Sequence, residues 1–211
     1  AGTVYLAGQG MTPVVRIDDH GRGAGVDNRA LGSVVAATPL DLAADLEIAG
    51  ASRLVVVQPL IAESIRVLGR SSITHIQTTP LIEGGLSLTA DDIVVERDAA
   101  IDVTARGYLG DCSPGDNACG PGAHGPGNVG GAGGGQLGGG AHGGFGGGAT
   151  NATYDTLDAP RDVGAGGGYG AGGGEPGGDG GGRVRLTADT LVLDGVIRAD
   201  GGDAAESNQK N

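Results

Sequence analysis

The chain has 211 residues, a formal charge of −12 and a single lysine, Lys210. Phosphate binding needs Lys and Arg, so nucleic acid is excluded as a partner. No apolar run is long enough to cross a bilayer as a helix, so membrane insertion is not expected. With no Trp, one Phe and four Tyr, the chain lacks the bulk that usually fills a thick core.

Ala1 leads almost at once into the strand-like Thr3-Val-Tyr-Leu6, so the chain reads as a processed protein or a piece of a longer one. Short runs rich in β-branched residues then recur: Val14 to Ile17, Ser33 to Ala36, Leu54 to Val57, Ile65 to Leu68, Ile73 to Ile76, Ile93 to Val95 and Ile101 to Val103. Each is bounded mostly by Gly, Asp, Pro or Ser, which is strand punctuation. Pro39 to Ile48 has a pattern that also suits a short helix. Comparison with a repeat argues against that helix. Leu40-Asp-Leu-Ala-Ala-Asp45, Leu86-Ser-Leu-Thr-Ala-Asp91 and Val184-Arg-Leu-Thr-Ala-Asp189 share one pattern, and each is followed by two more short apolar runs. Copies one and two lie 46 residues apart, about two repeats of ordinary length.

The repeat resembles that of right-handed parallel β-helix proteins, and the resemblance covers residues 1–106 and 183–200. It implies an all-β solenoid over 1–106 and 183–211, with residues 107–182 inserted between adjacent coils. Similar phrases recur in large exported bacterial surface proteins.

The insertion opens on Asp111-Cys-Ser-Pro-Gly-Asp-Asn-Ala-Cys119. Turn formers between Cys112 and Cys119 let the ends meet in a disulfide, which implies an extracellular location. The alternative is a two-thiol metal site with His124, but no fourth Cys or His lies nearby. Asp111, Asp116 and Asn117 form a candidate Ca²⁺ loop; no other cofactor is indicated.

From Gly120 to Gly182 there are 30 of the chain's 47 glycines. A flexible linker is one reading. A phosphate loop is another, although the strand–loop–helix context and its lysine are missing. The third is a bundle of polyproline II helices, which needs glycine at period three. Gly164, Gly167, Gly170 and Gly173 meet that period, and a glycine-free stretch, residues 149–162, separates two arms. The block resembles the glycine bundles of the snow flea antifreeze type and of receptor-binding tail-fibre adhesins of some phages. That resemblance makes the non-glycine tips contact residues: Gln136, Leu137, His142, Phe145 and the stretch from Asn151 to Asp158, with Asn151 and Tyr154 foremost.

Chemistry is sparse. Asp91, Asp92, Asp98, Asp102, Asp189 and Asp194 fall mostly at corners, where Asp is a turn former, and no acid–base pair can be named for glycoside cleavage. The histidines, His20, His75, His124 and His142, form no local motif, and His75 is expected to point outward from its strand. Thr74, Thr78 and Thr79 cluster without the period of an ice-binding face. The expected protein is therefore not an enzyme. It is an extracellular structural or adhesive protein, a self-assembling subunit of a filament or layer, with a cell-surface glycan or receptor as a further partner. A polysaccharide-binding or polysaccharide-active β-helix is the alternative, and an ice-binding protein the third.

Overall fold

A computed structural model describes residues 2–20, 29–31, 38–79, 81–110, 124–125, 129–130, 139–142, 153–156, 158–169 and 176–203. Among these residues there are strands and irregular segments and no helix. The strands are β1 (Gly2–Leu6), β2 (Val14–Asp18), β3 (Arg29–Leu31), β4 (Leu40–Asp41), β5 (Asp45–Ala49), β6 (Arg53–Val56), β7 (Leu60–Ile61), β8 (Ser64–Val67) and β9 (Ser72–His75). They continue with β10 (Leu86–Thr89), β11 (Asp92–Val95), β12 (Ala100–Asp102), β13 (His124–Gly125), β14 (Val129–Gly130), β15 (Val184–Thr187), β16 (Thr190–Leu193) and β17 (Val196–Arg198).

The chain divides into two compact units. The first comprises Ala1–Ile76, Gly85–Asp102 and Val184–Arg198. It holds three sheets, with strand orders β1-β2-β5-β8-β11-β16, β15-β10-β7-β4 and β17-β12-β9-β6-β3. Four successive trios of strands, β4–β6, β7–β9, β10–β12 and β15–β17, each give one strand to every sheet. Each trio is called a layer below.

The layers stack in parallel register, so that like residues form columns. Leu46, Ile65, Ile93 and Leu191 make one, and Ile48, Val67, Val95 and Leu193 the next. Leu54, Ile73, Ile101 and Ile197 line the five-stranded sheet, and Leu40, Leu60, Leu88 and Leu186 the four-stranded one. Side chains alternate across each strand, so every second residue enters the core. Leu46, Ile48, Leu54, Ile65, Val67, Ile73, Ile93, Val95 and Ile101 are fully buried there. Aliphatics suffice for this core because each layer is only one strand deep.

Corners between the six- and five-stranded sheets use left-handed residues. Ala51, Arg70 and Asp98 occupy that region in three successive layers, each followed by a tight backbone hydrogen bond at Ser52, Ser71 and Ala99. Gly50 is also left-handed, and a Cβ there would run into the backbone N–H groups of Asp19 and His20.

The expected right-handed parallel β-helix with a polyproline II bundle does not hold. The strands sort into three sheets, and the largest is mixed, because β1 runs antiparallel to β2 from Gly2↔Asp18 to Leu6↔Val14. The reason lies in the connection. Residues 7–13 are too few for a parallel crossover, and a turn at Gly8 to Met11, with Gly10 left-handed, reverses the chain. Within residues 107–182 the described strands β13 and β14 also pair antiparallel, since a three-residue link permits a hairpin and nothing longer.

The second unit comprises Gln77–Gly84, Val103–Arg183 and Ala199–Asn211. Its described glycine segments are joined backbone to backbone. Gly164 donates to Gly181, Gly167 to Gly178, Tyr108 to Gly164, and Gly180 to Tyr108. These bonds satisfy main-chain groups with few side chains to bury. The approach is close enough that a Cβ on Gly180 would overlap the carbonyl of Gly164. Tyr108, Ala141, Val163 and Ala165 are buried within this unit.

Candidate functional site

Two of the sequence-nominated contact residues, His142 and Tyr154, come together in the second unit. The Tyr154 N–H donates to the His142 carbonyl at 3.0 Å. Their rings meet edge to face, with centroids 5.0 Å apart and planes at 64°. His142 Nε2 lies 3.3 Å from Asp155 Oδ2, and the imidazole keeps about a third of its surface in solvent while the carboxylate is nearly covered. The Tyr154 hydroxyl donates to the Val163 carbonyl at 2.6 Å.

Asp155 is the hub of this cluster. It sits in the left-handed region, which Asp tolerates better than most residues. Its carboxylate accepts the backbone N–H groups of Thr156, Arg161 and Asp162. The bond from Asp162, followed by those from Thr156, Arg161 and His142, outweighs burial and holds the carboxyl well below the usual carboxylate range. Tyr154 moves the other way. Burial, then the charges of Asp162 and Asp155, push its phenol above the ordinary tyrosine range. A carboxylate that orients an imidazole is the base half of a nucleophilic catalyst. Among the described residues, however, no hydroxyl or thiol is bonded to the other ring nitrogen. What the cluster does chemically is close a loop over residues 154–162 and present one imidazole edge.

A second polar cluster in the same unit centres on Tyr108, which is fully buried and donates to Glu83 Oε2 at 2.8 Å. Burial first, then the bond and charge of Glu83, raise its phenol above the ordinary range. Asp179 accepts the Gly110 N–H at 2.9 Å and lies 3.3 Å from the Gln77 amide nitrogen. Burial raises its carboxyl, and the Gly110 bond offsets part of that rise.

In the first unit a groove of about 320 Å³ runs along one corner, lined by Asp41, Glu63, Asp91, Asp189, Thr89 and Thr187 among others. Asp91 and Asp189 of the sequence-nominated aspartates thus share a groove; Asp92, Asp98, Asp102 and Asp194 do not line it. The acid row follows from the register, because Asp91 donates its N–H to Glu63 and accepts that of Asp189, layer upon layer. Among the described residues no group of three or more His, Cys, Asp or Glu is placed to hold a metal ion.

The remaining nominations divide as follows. Cys112 and Cys119, the Ca²⁺ candidates Asp111, Asp116 and Asn117, and the tips Gln136, Leu137, Phe145 and Asn151 lie outside the described residues. His75, expected to point outward, is fully buried, with Nδ1 2.7 Å from the Ile76 carbonyl. Thr74 and Thr78 are fully buried too, so they build no flat threonine surface. Asp155 lies inside the stretch from Asn151 to Asp158 that the sequence nominated for contact, with no role of its own assigned; Glu83 was not nominated.

One further feature stands out in the last layer. Leu191, Leu193 and Ile197 occupy core columns, yet they are 47%, 44% and 37% exposed, while Ile93, Val95 and Ile101 directly beneath them are fully buried. Among the described residues, β15, β16 and β17 have no partner strand on their outer side.

Comparison with protein-family models, with characterised proteins and with solved structures finds no match.

Proposed function

We propose that this chain is a structural protein of an extracellular surface whose role is to associate with further copies of itself. The observation that carries the reading is the open last layer. Among the described residues, Leu191, Leu193 and Ile197 hold core positions without a cover, beside three adjacent unpaired strand edges. An exposed apolar edge of this kind is a template for pairing, which proteins that stay monomeric blunt with lysine, proline or bulges. The β16 sequence Thr190-Leu-Val-Leu193 carries none of these residues. The net charge of −12 keeps such a surface soluble outside its intended contacts. In this reading the imidazole edge of His142 meets the cell-surface glycan or receptor, and the cysteine pair, read from the sequence as a disulfide, supports an oxidising compartment.

Sedimentation of the purified chain over a wide concentration range, with electron micrographs of the same samples, tests the proposal. Larger species that grow with concentration are expected. A monomer at the highest concentration attainable refutes it.

A further inference from the structure

We infer that Asp179 is a proton-operated tie, which makes the glycine packing of the second unit firmer as the surroundings turn acid. The device concerns this unit alone and does not depend on association between copies.

Three observations lead there. The first is position. From Gly177 to Gly182 every residue except Asp179 is glycine. A Cβ on Gly178 would overlap the carbonyl of Gly202, one on Gly180 that of Gly164, and one on Gly181 that of Ala199. One carboxyl group therefore stands in a seam otherwise made of main chain.

The second is what it joins. Asp179 Oδ1 accepts the Gly110 N–H at 2.9 Å, Oδ2 lies 3.3 Å from Gln77 Nε2, and the Asp179 carbonyl accepts the Gly202 N–H at 2.7 Å. Three segments distant in sequence meet at this residue. The carbonyls on either side, of Gly178 and Gly180, already accept Gly167 and Gly107, and the Gly110 N–H turns to the side chain instead.

The third is charge. Both side-chain partners are neutral. The elements packed against Asp179 carry Glu83 on residues 77–84, Arg106 and Tyr108 on residues 103–110, Tyr169 on residues 164–169, and Asp200 and Asp203 on residues 199–203; Arg183 stands on its own segment. Among the described residues none of these groups bonds its carboxylate. Two neutral donors replace only part of the hydration a carboxylate loses on burial. A carboxylic acid suits the seam better. It keeps one oxygen for Gly110, and the Gln77 amide, turned over, accepts its O–H. Burial accordingly raises the carboxyl, and the Gly110 bond recovers only part of that rise. Because the folded carboxyl lies above its unfolded value, the stabilisation is complete below about pH 4 and is lost as pH rises through the folded value.

Carboxyl-carbon NMR of Asp179 and hydrogen exchange at the Gly110 amide, corrected for the intrinsic rate, test this on the unmodified chain between pH 8 and pH 4. Protection of Gly110 should climb as pH falls, by up to about tenfold for each unit between the folded midpoint and the ordinary aspartate value of about 3.9. Asp179→Asn, neutral at every pH, should level that profile and protect Gly110 at pH 7 at least as well as the unmodified chain does. A carboxyl midpoint at or below the ordinary aspartate value overturns the inference. So does a flat Gly110 profile in the unmodified chain, or a slope that persists in Asp179→Asn. Weaker protection at pH 7 in Asp179→Asn overturns it as well, since the charge itself would then hold the segments. The two measurements on the unmodified chain decide the matter even if Asp179→Asn fails to fold.

Discussion

The column that runs through Ile65, Ile93 and Leu191 allows the openness of the last layer to be measured as a free energy. Ile93 is fully buried between β8 and β16. Ile93→Ala removes three carbons, worth about 2.4 kcal/mol at about 0.8 kcal/mol per methylene. The cavity left between two flanking strands adds roughly another 1 kcal/mol, for a total of about 3–4 kcal/mol, inside the usual range of roughly 2–5 kcal/mol. Leu191 occupies the same column one layer on but keeps 47% of its surface in solvent. Leu191→Ala therefore loses only about half of the transfer contribution, about 1.2 kcal/mol, and leaves no enclosed void. Urea unfolding of dilute, monomeric protein, followed by far-UV circular dichroism, should separate the two midpoints by about 1 M at an m-value of roughly 2 kcal/mol/M. Equal shifts in monomeric protein would refute the claim that the last layer is an uncovered core. At concentrations where copies associate, the cost of Leu191→Ala should climb towards that of Ile93→Ala.

Four further outcomes are expected. Asp155→Asn can present only one acceptor oxygen to the three backbone donors now shared by two, so amide exchange at Thr156, Arg161 and Asp162 should quicken at least about tenfold, as hydrogen-exchange mass spectrometry would show. Because the folded carboxyl of Asp155 lies below its unfolded value, its contribution is intact above about pH 4 and declines as pH falls towards that depressed value; protection of the loop that is lost already at higher pH would contradict this. Gly180→Ala forces a Cβ against the Gly164 carbonyl and should destabilise the second unit by roughly 1–3 kcal/mol; an unchanged melting curve would exclude the close approach. Tyr108 and Tyr154, both raised above the ordinary tyrosine range, stabilise the folded state below about pH 10 and cease to do so as pH rises through their folded values; their phenolate absorbance should emerge only together with unfolding.

How far the sequence led can be judged from particular residues. Val14 to Ile17, Leu54 to Val57, Ile93 to Val95 and Ile101 to Val103 were readable as strands because short runs rich in β-branched residues, bounded mostly by Gly, Asp, Pro or Ser, mark strands, and they became β2, β6, β11 and β12. Copies two and three of the repeat were readable residue by residue, and Leu86 to Thr89 pairs with Val184 to Thr187 as their spelling suggests. The first copy was misaligned: Leu40 lies in the column of Leu88, not of Leu86. The layer β7–β9 went unrecognised as a copy because the stack requires only an aliphatic at Leu60, Ile65 and Val67, not a Thr-Ala-Asp corner. His75 was missed for a different reason. Ile73, Thr74 and His75 are all fully buried, and a strand covered on both faces shows no alternation. The solenoid with a polyproline II insertion was inferred from a repeat and a glycine spacing, neither of which reports strand direction. The reversal of β1 is set instead by the length of residues 7–13. The His142, Tyr154 and Asp155 cluster lies on irregular backbone, which has no period to read.

The antiparallel β1–β2 pair has a consequence for the way the chain acquires its structure. Layers with nearly interchangeable aliphatics are prone to mispairing, since β5 can find β11 about as readily as β8. Each correct parallel pair must also close a loop of about twenty residues or more before any contact rewards it. The β1–β2 hairpin closes a loop of only a few residues, so it forms early. Once formed, it occupies one edge of β2 and leaves a single vacancy for β5. The order in which later layers can be laid down is then fixed from one end. A substitution that unfastens the turn at Gly8 to Met11 should thus slow refolding and multiply its phases far more than it lowers equilibrium stability.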